Sequence, residues 1–174
     1  MYAFLDFAHS WVRWFILLAG IAAVARAYMG WLGAKPYEKL DNALRGSFVG
    51  FLHLQLLMGI MLYGFSSPMM MQVWDSSPAE LAVIYPAKNA VADAPAPTSK
   101  MSVIMKNADL RFYVVEHFLV MLIAIVVAQI GSSKVRRMAD AAKKHKTAAI
   151  FFTISLLLIL SRIPWDKVLF KGIS

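Results

Sequence analysis

Three histidines in apolar stretches are the side chains whose chemistry is most informative in this chain. His9, His53 and His117 each lie within a long run of hydrophobic residues. A neutral imidazole can ligate a metal ion, and it can donate or accept a proton near neutral pH. Ionisable side chains are costly in lipid, so those found in membrane spans usually mark a cofactor, a proton path or a substrate path. These histidines are therefore the first candidates for a functional site.

The composition predicts an integral membrane protein. The chain has 174 residues, of which 60% are hydrophobic, well above the apolar share of a soluble domain. At roughly 20 residues per span, this length accommodates about four membrane helices. The absence of cysteine excludes disulfides, cysteine-bound iron–sulfur clusters and c-type haem attachment. The formal net charge of +8 indicates topology signals and contacts with lipid headgroups, and we expect no nucleic-acid partner.

The pattern of apolar runs predicts an all-α fold, a four-helix transmembrane up-down bundle that forms one integral membrane domain over residues 1–174. The expected spans are residues 8–32, 44–65, 110–131 and 147–165. Residues 66–109 hold five prolines and are expected to form a long outward loop. Short interfacial helices are expected in this loop near 78–83 and 102–109.

The distribution of basic residues predicts the orientation of the bundle. Lys and Arg concentrate in the two short loops, between the first and second spans and between the third and fourth. Such loops are usually cytoplasmic. We therefore expect a multi-pass protein of the bacterial inner membrane, with both termini and the long loop on the periplasmic side.

The depth of each polar residue along its helix predicts which side chains can meet. At a rise of about 1.5 Å per residue, His117 lies roughly 10 Å from the outer surface and His53 roughly 14 Å from the cytoplasmic surface. In a core about 30 Å thick, the two depths differ by only about 6–8 Å. Arg13, Arg111 and Arg162 fall in the same outer half. This arrangement is typical of a b-type haem, with two axial imidazoles and with arginines beside the propionates.

We therefore predict that His53 and His117 are the axial ligands of a haem iron. Gly46 and Gly50 share a helix face with His53, and their small size would leave room for the macrocycle. His9 is the alternative partner of His117, or it could help to hold a second haem or a quinone headgroup.

The same residues also fit roles without a cofactor. The histidines and arginines could form interhelical hydrogen bonds, and the two glycines could be a helix-packing face. His145 lies among lysines, and we expect it to be solvated or close to lipid headgroups.

Four groups of short motifs extend over nearly the whole chain outside residues 87–99. They are His9-Ser10-x-x-Arg13-Trp14, His53-Leu54-Gln55-Leu56-Leu57-x-Gly59 with Leu62-Tyr63, Met105-Lys106-Asn107 with Arg111 and Glu116-His117, and Ser161-Arg162-Ile163-Pro164-Trp165. Together they resemble a family of small four-span membrane proteins of the Bacteroidetes type that are labelled cytochrome b. The resemblance implies a haem held by His53 and His117, with His9 as the alternative ligand.

A looser similarity concerns two of these places. A histidine that opens the first span, and the stretch Met105-Lys106-x-x-x-x-Arg111-x-Tyr113, are similar to the HemJ-type protoporphyrinogen oxidases. Those proteins are also small, four-span and haem-associated.

The sequence thus predicts a b-type haem-binding protein that takes part in respiratory electron transfer as a subunit of a larger complex. The expected partners are the lipid bilayer, other membrane subunits and a quinol. The alternatives are a cofactor-free structural or assembly subunit and a HemJ-like protoporphyrinogen oxidase.

Overall fold

Four long helices form the body of the protein. The computed structural model describes residues 1–87 and 97–165, so part of the expected long loop and the C-terminal end lie outside the described residues. The long helices are α1 (Tyr2–Leu32), α2 (Lys39–Met61), α7 (Phe118–Arg137) and α8 (Ala141–Ser161). Two π-helical segments extend them, Leu62–Ser66 after α2 and Arg111–His117 before α7.

All four helices are long and apolar enough to cross a membrane, with bounds of Tyr2–Leu32, Lys39–Ser66, Ala108–Arg137 and Ala141–Ser161. The predictions of four spans and of a multi-pass membrane protein are confirmed to this extent. Many apolar side chains remain exposed along these helices. Their exposure is consistent with a surrounding bilayer, because apolar surface is more stable against lipid than against water.

Short helices connect α2 to α7 within the described residues. They are α3 (Pro68–Asp75), α4 (Pro78–Ile84), α5 (Lys100–Lys106) and α6 (Ala108–Leu110). Helices were expected near 78–83 and 102–109, where α4 and α5–α6 lie, whereas α3 was not expected. These helices share a hydrophobic cluster of their own, which includes Val73, Leu81 and Leu110 with no exposed surface. The connection is therefore packed structure over much of its described length.

The N-terminus of α4 is closed by a capping box. The backbone N–H of Glu80 donates to the Ser77 hydroxyl, and the Glu80 carboxylate accepts from the Ser77 backbone N–H. Pro78 at the first helical position needs no partner because it has no N–H. The capping box thus satisfies two backbone N–H groups, those of Ser77 and Glu80, that would otherwise be free at this helix end.

Acidification is expected to fray α4. The backbone N–H of Ser77, and to a lesser extent its hydroxyl, hold the pKa of Glu80 below its ordinary value. Because the pKa of Glu80 is lower in the folded protein, the ionised cap stabilises α4 fully at any pH above the ordinary carboxyl pKa. This stabilisation is lost as the pH falls through the lowered pKa of Glu80. Hydrogen exchange of the Leu81 amide, corrected for intrinsic rates, should accelerate over that range. In Glu80→Ala the amide should exchange fast at every pH, and a wild-type profile in this variant would contradict the capping role.

The packing of the long helices defines a four-sided bundle. Helix α1 packs against α2 and α8, and α7 packs against α8, whereas α2 and α7 meet much less closely. Helices α1 and α7 therefore lie across the bundle from each other. Phe48 of α2 and Phe152 of α8 are almost completely buried at its centre, edge to face with their ring centroids 5.4 Å apart.

His145 is buried, in contrast to the prediction that it is solvated. Its side chain has no exposed surface, and its Nε2 lies 3.3 Å from the Pro36 carbonyl oxygen. A Cβ at Gly30 would overlap the imidazole ring, so this glycine lets the ring pack directly on the α1 backbone. The prediction was wrong because His145 faces α1 and packs on Gly30, whereas the neighbouring Lys143 and Lys146 are exposed.

Candidate functional site

A cavity of about 1460 Å³ lies among the four long helices. We call it the bundle cavity. It is lined by the first turns of α1, the second half of α2, the start of α7 and the end of α8. Most of its wall is apolar, and the polar side chains that line it include His9, Arg13, Gln55 and His117. Its size exceeds the range of about 300–1000 Å³ that is usual for pockets of small ligands.

The bundle cavity brings together two of the three intramembrane histidines. His9 lies on α1, and His117 is the residue immediately before α7. The two imidazoles therefore line the cavity from opposite corners of the bundle. Both side chains are half-buried. This pairing is the alternative that the sequence left open.

The orientation of His117 leaves one ring nitrogen available to a ligand. Its Nδ1 lies 2.9 Å from the Arg162 carbonyl oxygen. Since a carbonyl can only accept, Nδ1 carries the proton and Nε2 keeps its lone pair. Metal-ligating histidines are commonly held in this way, through a hydrogen bond from the second nitrogen to a backbone carbonyl.

The end of α8 brings the Arg162 carbonyl to His117. Helix α8 ends at Ser161, and Pro164 has no N–H with which to continue the helical ladder. The Leu160 carbonyl, which would have bonded that N–H, accepts instead from Trp165 Nε1 at 3.1 Å. Arg162 lies beyond the end of α8, and its carbonyl accepts from the His117 imidazole.

His9 lies beside Gln55 and Gly59 of α2, which also line the cavity. Its Nδ1 is buried and has no hydrogen-bond partner among the described residues. The amide of Gln55 donates to the His9 backbone carbonyl at 2.9 Å, while the Gln55 side-chain oxygen has no partner in this part of the chain. A Cβ at Gly59 would stand 3.6 Å from the His9 ring. Buried polar atoms of this kind usually bond a protein group, a water or a ligand.

The three predicted arginines separate into two groups. Arg13 lines the bundle cavity, and its Nε is buried without a hydrogen-bond partner among the described residues. Arg111 and Arg162 are not in the cavity wall, and both contact Glu116, at 2.9 Å and 3.4 Å. Only Arg13 is therefore placed to meet an anionic group inside the cavity.

His53 and the two glycines near it face away from the bundle. His53 is exposed, and its Nδ1 lies 2.8 Å from the Val49 carbonyl oxygen one turn earlier. A Cβ at Gly46 or Gly50 would meet nothing within 4 Å. The expected meeting of His53 with His117 is thus not what the structure contains.

The buried face of α2 gives the physical reason for this difference. Phe48, Leu52 and Met58 are the apolar residues that α2 buries against the bundle, and at 100° per residue they turn positions 46, 50 and 53 outward. Gln55 and Gly59 lie four residues apart on the cavity side. An amide in an apolar span was the only sequence signal for Gln55, and it was not assigned to the site.

Tyr63 closes the cavity where α2 approaches α7. Its ring stacks on Phe118 with centroids 4.9 Å apart, and its hydroxyl donates to the Val114 carbonyl at 3.1 Å. The two contacts join the π-helical segment after α2 to the first residue of α7 and to the π-helical segment before it. They hold together α2 and α7, the neighbouring long helices that otherwise pack least closely.

Tyr63→Phe is expected to destabilise the protein by about 1 kcal/mol, the usual net value of one hydrogen bond. The ring contact remains in this variant, so the change isolates the hydroxyl. Unfolding in SDS, followed by circular dichroism, measures the difference. Tyr28→Phe is a suitable comparison, because the Tyr28 hydroxyl has only a 3.4 Å contact with Thr153 on a more exposed surface. Equal stability of Tyr63→Phe and wild type would contradict a stabilising role for the hydrogen bond from Tyr63 to Val114.

No family model matches the chain, and no curated protein or solved structure matches it. Among the described residues, no group of three or more His, Cys, Asp or Glu side chains converges to hold a metal ion. A haem iron needs only two axial ligands from the protein, which is the number of imidazoles in the bundle cavity.

Proposed function

We propose that the protein is a b-type haem-binding membrane protein, and that His9 and His117 ligate the haem iron across the bundle cavity. The observation that carries the proposal is the convergence of two imidazoles from opposite helices on one large, mostly apolar cavity. His53, the ligand expected both from depth and from the family resemblance, is exposed and does not line this cavity.

The residues of the cavity fit a haem in three respects. The Arg162 carbonyl fixes the His117 tautomer, so that Nε2 faces a ligand as a base. His9 has a buried ring nitrogen without a partner among the described residues. Arg13 follows His9 by one helical turn, and its guanidinium can pair with a propionate.

Each side chain has a defined task on this proposal. The two imidazoles bind the iron, and Gln55 holds the α1 backbone at His9. Phe118, Met121 and Ile125 line the cavity and exclude water from the macrocycle. When bound, the haem supplies one-electron redox chemistry.

The proposal extends to respiratory electron transfer between a quinol and a partner, within a larger complex of the inner membrane. In that setting the bundle runs up and down, with both termini and the connection from α2 to α7 on the periplasmic side. Lys134, Arg136 and Arg137 at the end of α7, together with the lysines at the start of α8, support this orientation through the positive-inside rule.

The test is the absorbance spectrum of the purified protein, expressed with haem available. A reduced-minus-oxidised difference spectrum with the sharp bands of a bis-imidazole haem is the expected result. A folded, monodisperse sample with no haem absorbance would overturn the proposal and leave a cofactor-free subunit. Accumulation of protoporphyrinogen in a deletion strain would instead select the HemJ-like oxidase.

A further inference from the structure

A second, much smaller cavity lies at the other end of the bundle, where α1 turns into α2 and α7 turns into α8. Its volume is about 10 Å³, close to the space of about 10–15 Å³ that a single water molecule needs. The polar groups that line it are Arg26, Asp41, Arg45, His145 and Tyr37, whose hydroxyl lies beside Arg45. Three helices therefore contribute polar side chains to a space of this size.

Two atoms from this wall have unmet hydrogen-bonding capacity. His145 Nδ1 and Arg45 Nε are both buried, and neither has a hydrogen-bond partner among the described residues. The His145 side chain has no exposed surface at all. A buried polar atom without a hydrogen bond loses its hydration and gains nothing that compensates for it. We therefore expect each atom to have a partner inside the cavity.

The contacts of His145 determine which kind of partner its Nδ1 needs. Its Nε2 faces the Pro36 carbonyl oxygen at 3.3 Å, and a carbonyl can only accept a hydrogen bond. The proton of the neutral ring therefore lies on Nε2, which makes Nδ1 an acceptor. Arg45 Nε–H can only donate. The two atoms cannot both be satisfied by a group that only donates or only accepts.

Water is the smallest molecule that meets both requirements. Its oxygen can accept from Arg45 Nε–H while one of its hydrogens is donated to His145 Nδ1. The Asp41 carboxylate also lines the cavity and is buried, so it can accept the second hydrogen. Three polar partners are typical of a structural buried water.

We propose that one water molecule is bound in this cavity, where it bridges Arg45 of α2 to His145 of α8. The bridge links α2 to α8 near Gly30 of α1, whose missing side chain lets the His145 ring pack on the α1 backbone. Arg45 is already held on its other side by Ser132 of α7 at 2.8 Å. The water thus completes a polar connection from α7 through α2 to α8.

The most direct test is a density map of the wild-type protein at a resolution that shows ordered waters. A peak within hydrogen-bonding distance of His145 Nδ1 and Arg45 Nε is expected, and an empty cavity would overturn the proposal. Nitrogen-15 spectra of histidine-labelled protein give a second readout on the same sample. The expected spectrum of His145 has its proton on Nε2, and a proton on Nδ1 would equally overturn the proposal.

A double-mutant cycle tests whether Arg45 and His145 are coupled. For Arg45→Met and His145→Phe, we expect the effects on the unfolding equilibrium constant to depart from additivity by about 2- to 100-fold. The matched control combines Arg45→Met with Ser155→Ala. Ser155→Ala removes a buried hydrogen bond between α8 and the Ala124 carbonyl, roughly 15 Å along α8 from His145, so these two changes should add. Additive effects in the first cycle would contradict the bridge, and the wild-type measurements remain decisive if a variant does not fold.

Discussion

His117→Ala and His9→Ala are each expected to abolish the haem absorbance of the purified protein, whereas His53→Ala leaves it unchanged. On the proposed function, each of the first two changes removes from the wall of the bundle cavity an imidazole that would ligate the haem iron. Losing even a group that orients a ligand typically weakens metal binding by about 10- to 100-fold, so losing the ligand itself should cost at least about 100-fold. Haem content per protein, measured by absorbance after purification, reports the difference.

His53→Ala is the matched control for this experiment. It removes an imidazole from an apolar span of the same protein, but from the face of α2 that points away from the bundle. Circular dichroism and gel filtration of all three variants separate loss of haem from loss of fold. Loss of haem in His53→Ala with retention in His9→Ala would show that the iron lies between α2 and α7, and would contradict the assignment to the bundle cavity.

Gly131→Ala is expected to destabilise the bundle by about 1–3 kcal/mol, the usual cost of adding atoms to a well-packed core. A Cβ at Gly131 would overlap the Cβ of Phe151 and come within 2.8 Å of its ring. The Cβ of Phe151 is fixed to the α8 backbone, so a rotamer change cannot relieve the overlap. Helices α7 and α8, the most closely packed pair, would have to separate. Unfolding in SDS measures the loss.

Gly46→Ala provides the comparison for Gly131→Ala. It is the same chemical change within a span, but the new Cβ would meet nothing within 4 Å. The replacement of a mid-helix glycine should then be neutral or stabilise the protein by up to about 1 kcal/mol, because alanine restricts the unfolded chain. Equal effects of the two substitutions would show that α7 and α8 are not in close contact at Gly131.

The existence and approximate bounds of the four spans were within reach of the sequence. An apolar run of about 20 residues is a signal that depends only on composition and length, and α1, α2, α7 and α8 all carry it. The short helix α4 was also predictable, since Ser77, Pro78 and Glu80 form a local capping pattern that needs no tertiary contact. The membrane character of the protein was predictable for the same reason, because it follows from composition and length.

The rotation of each helix about its axis was decided only by tertiary structure. In a soluble helix, the apolar stripe identifies the buried face. A membrane helix is apolar on both its lipid-facing and its core-facing sides, so this signal is weak and rotation follows from packing against neighbours. His53 illustrates the consequence, because its depth suited His117 while the burial of Phe48 and Leu52 turned it outward.

His9 and His145 also show that the sequence does not determine which way a side chain faces in a membrane helix. His9 was the second choice in sequence because it lies near the start of its span, yet the separation of α2 from α7 opens a cavity that joins it to His117. His145 stands among lysines in sequence, yet the missing side chain of Gly30 lets it pack inside the bundle. Composition and span length determined that the chain has four helices able to cross a membrane. The packing of helix on helix decided which imidazoles line the same cavity, because only close contact between side chains distinguishes one apolar face from another.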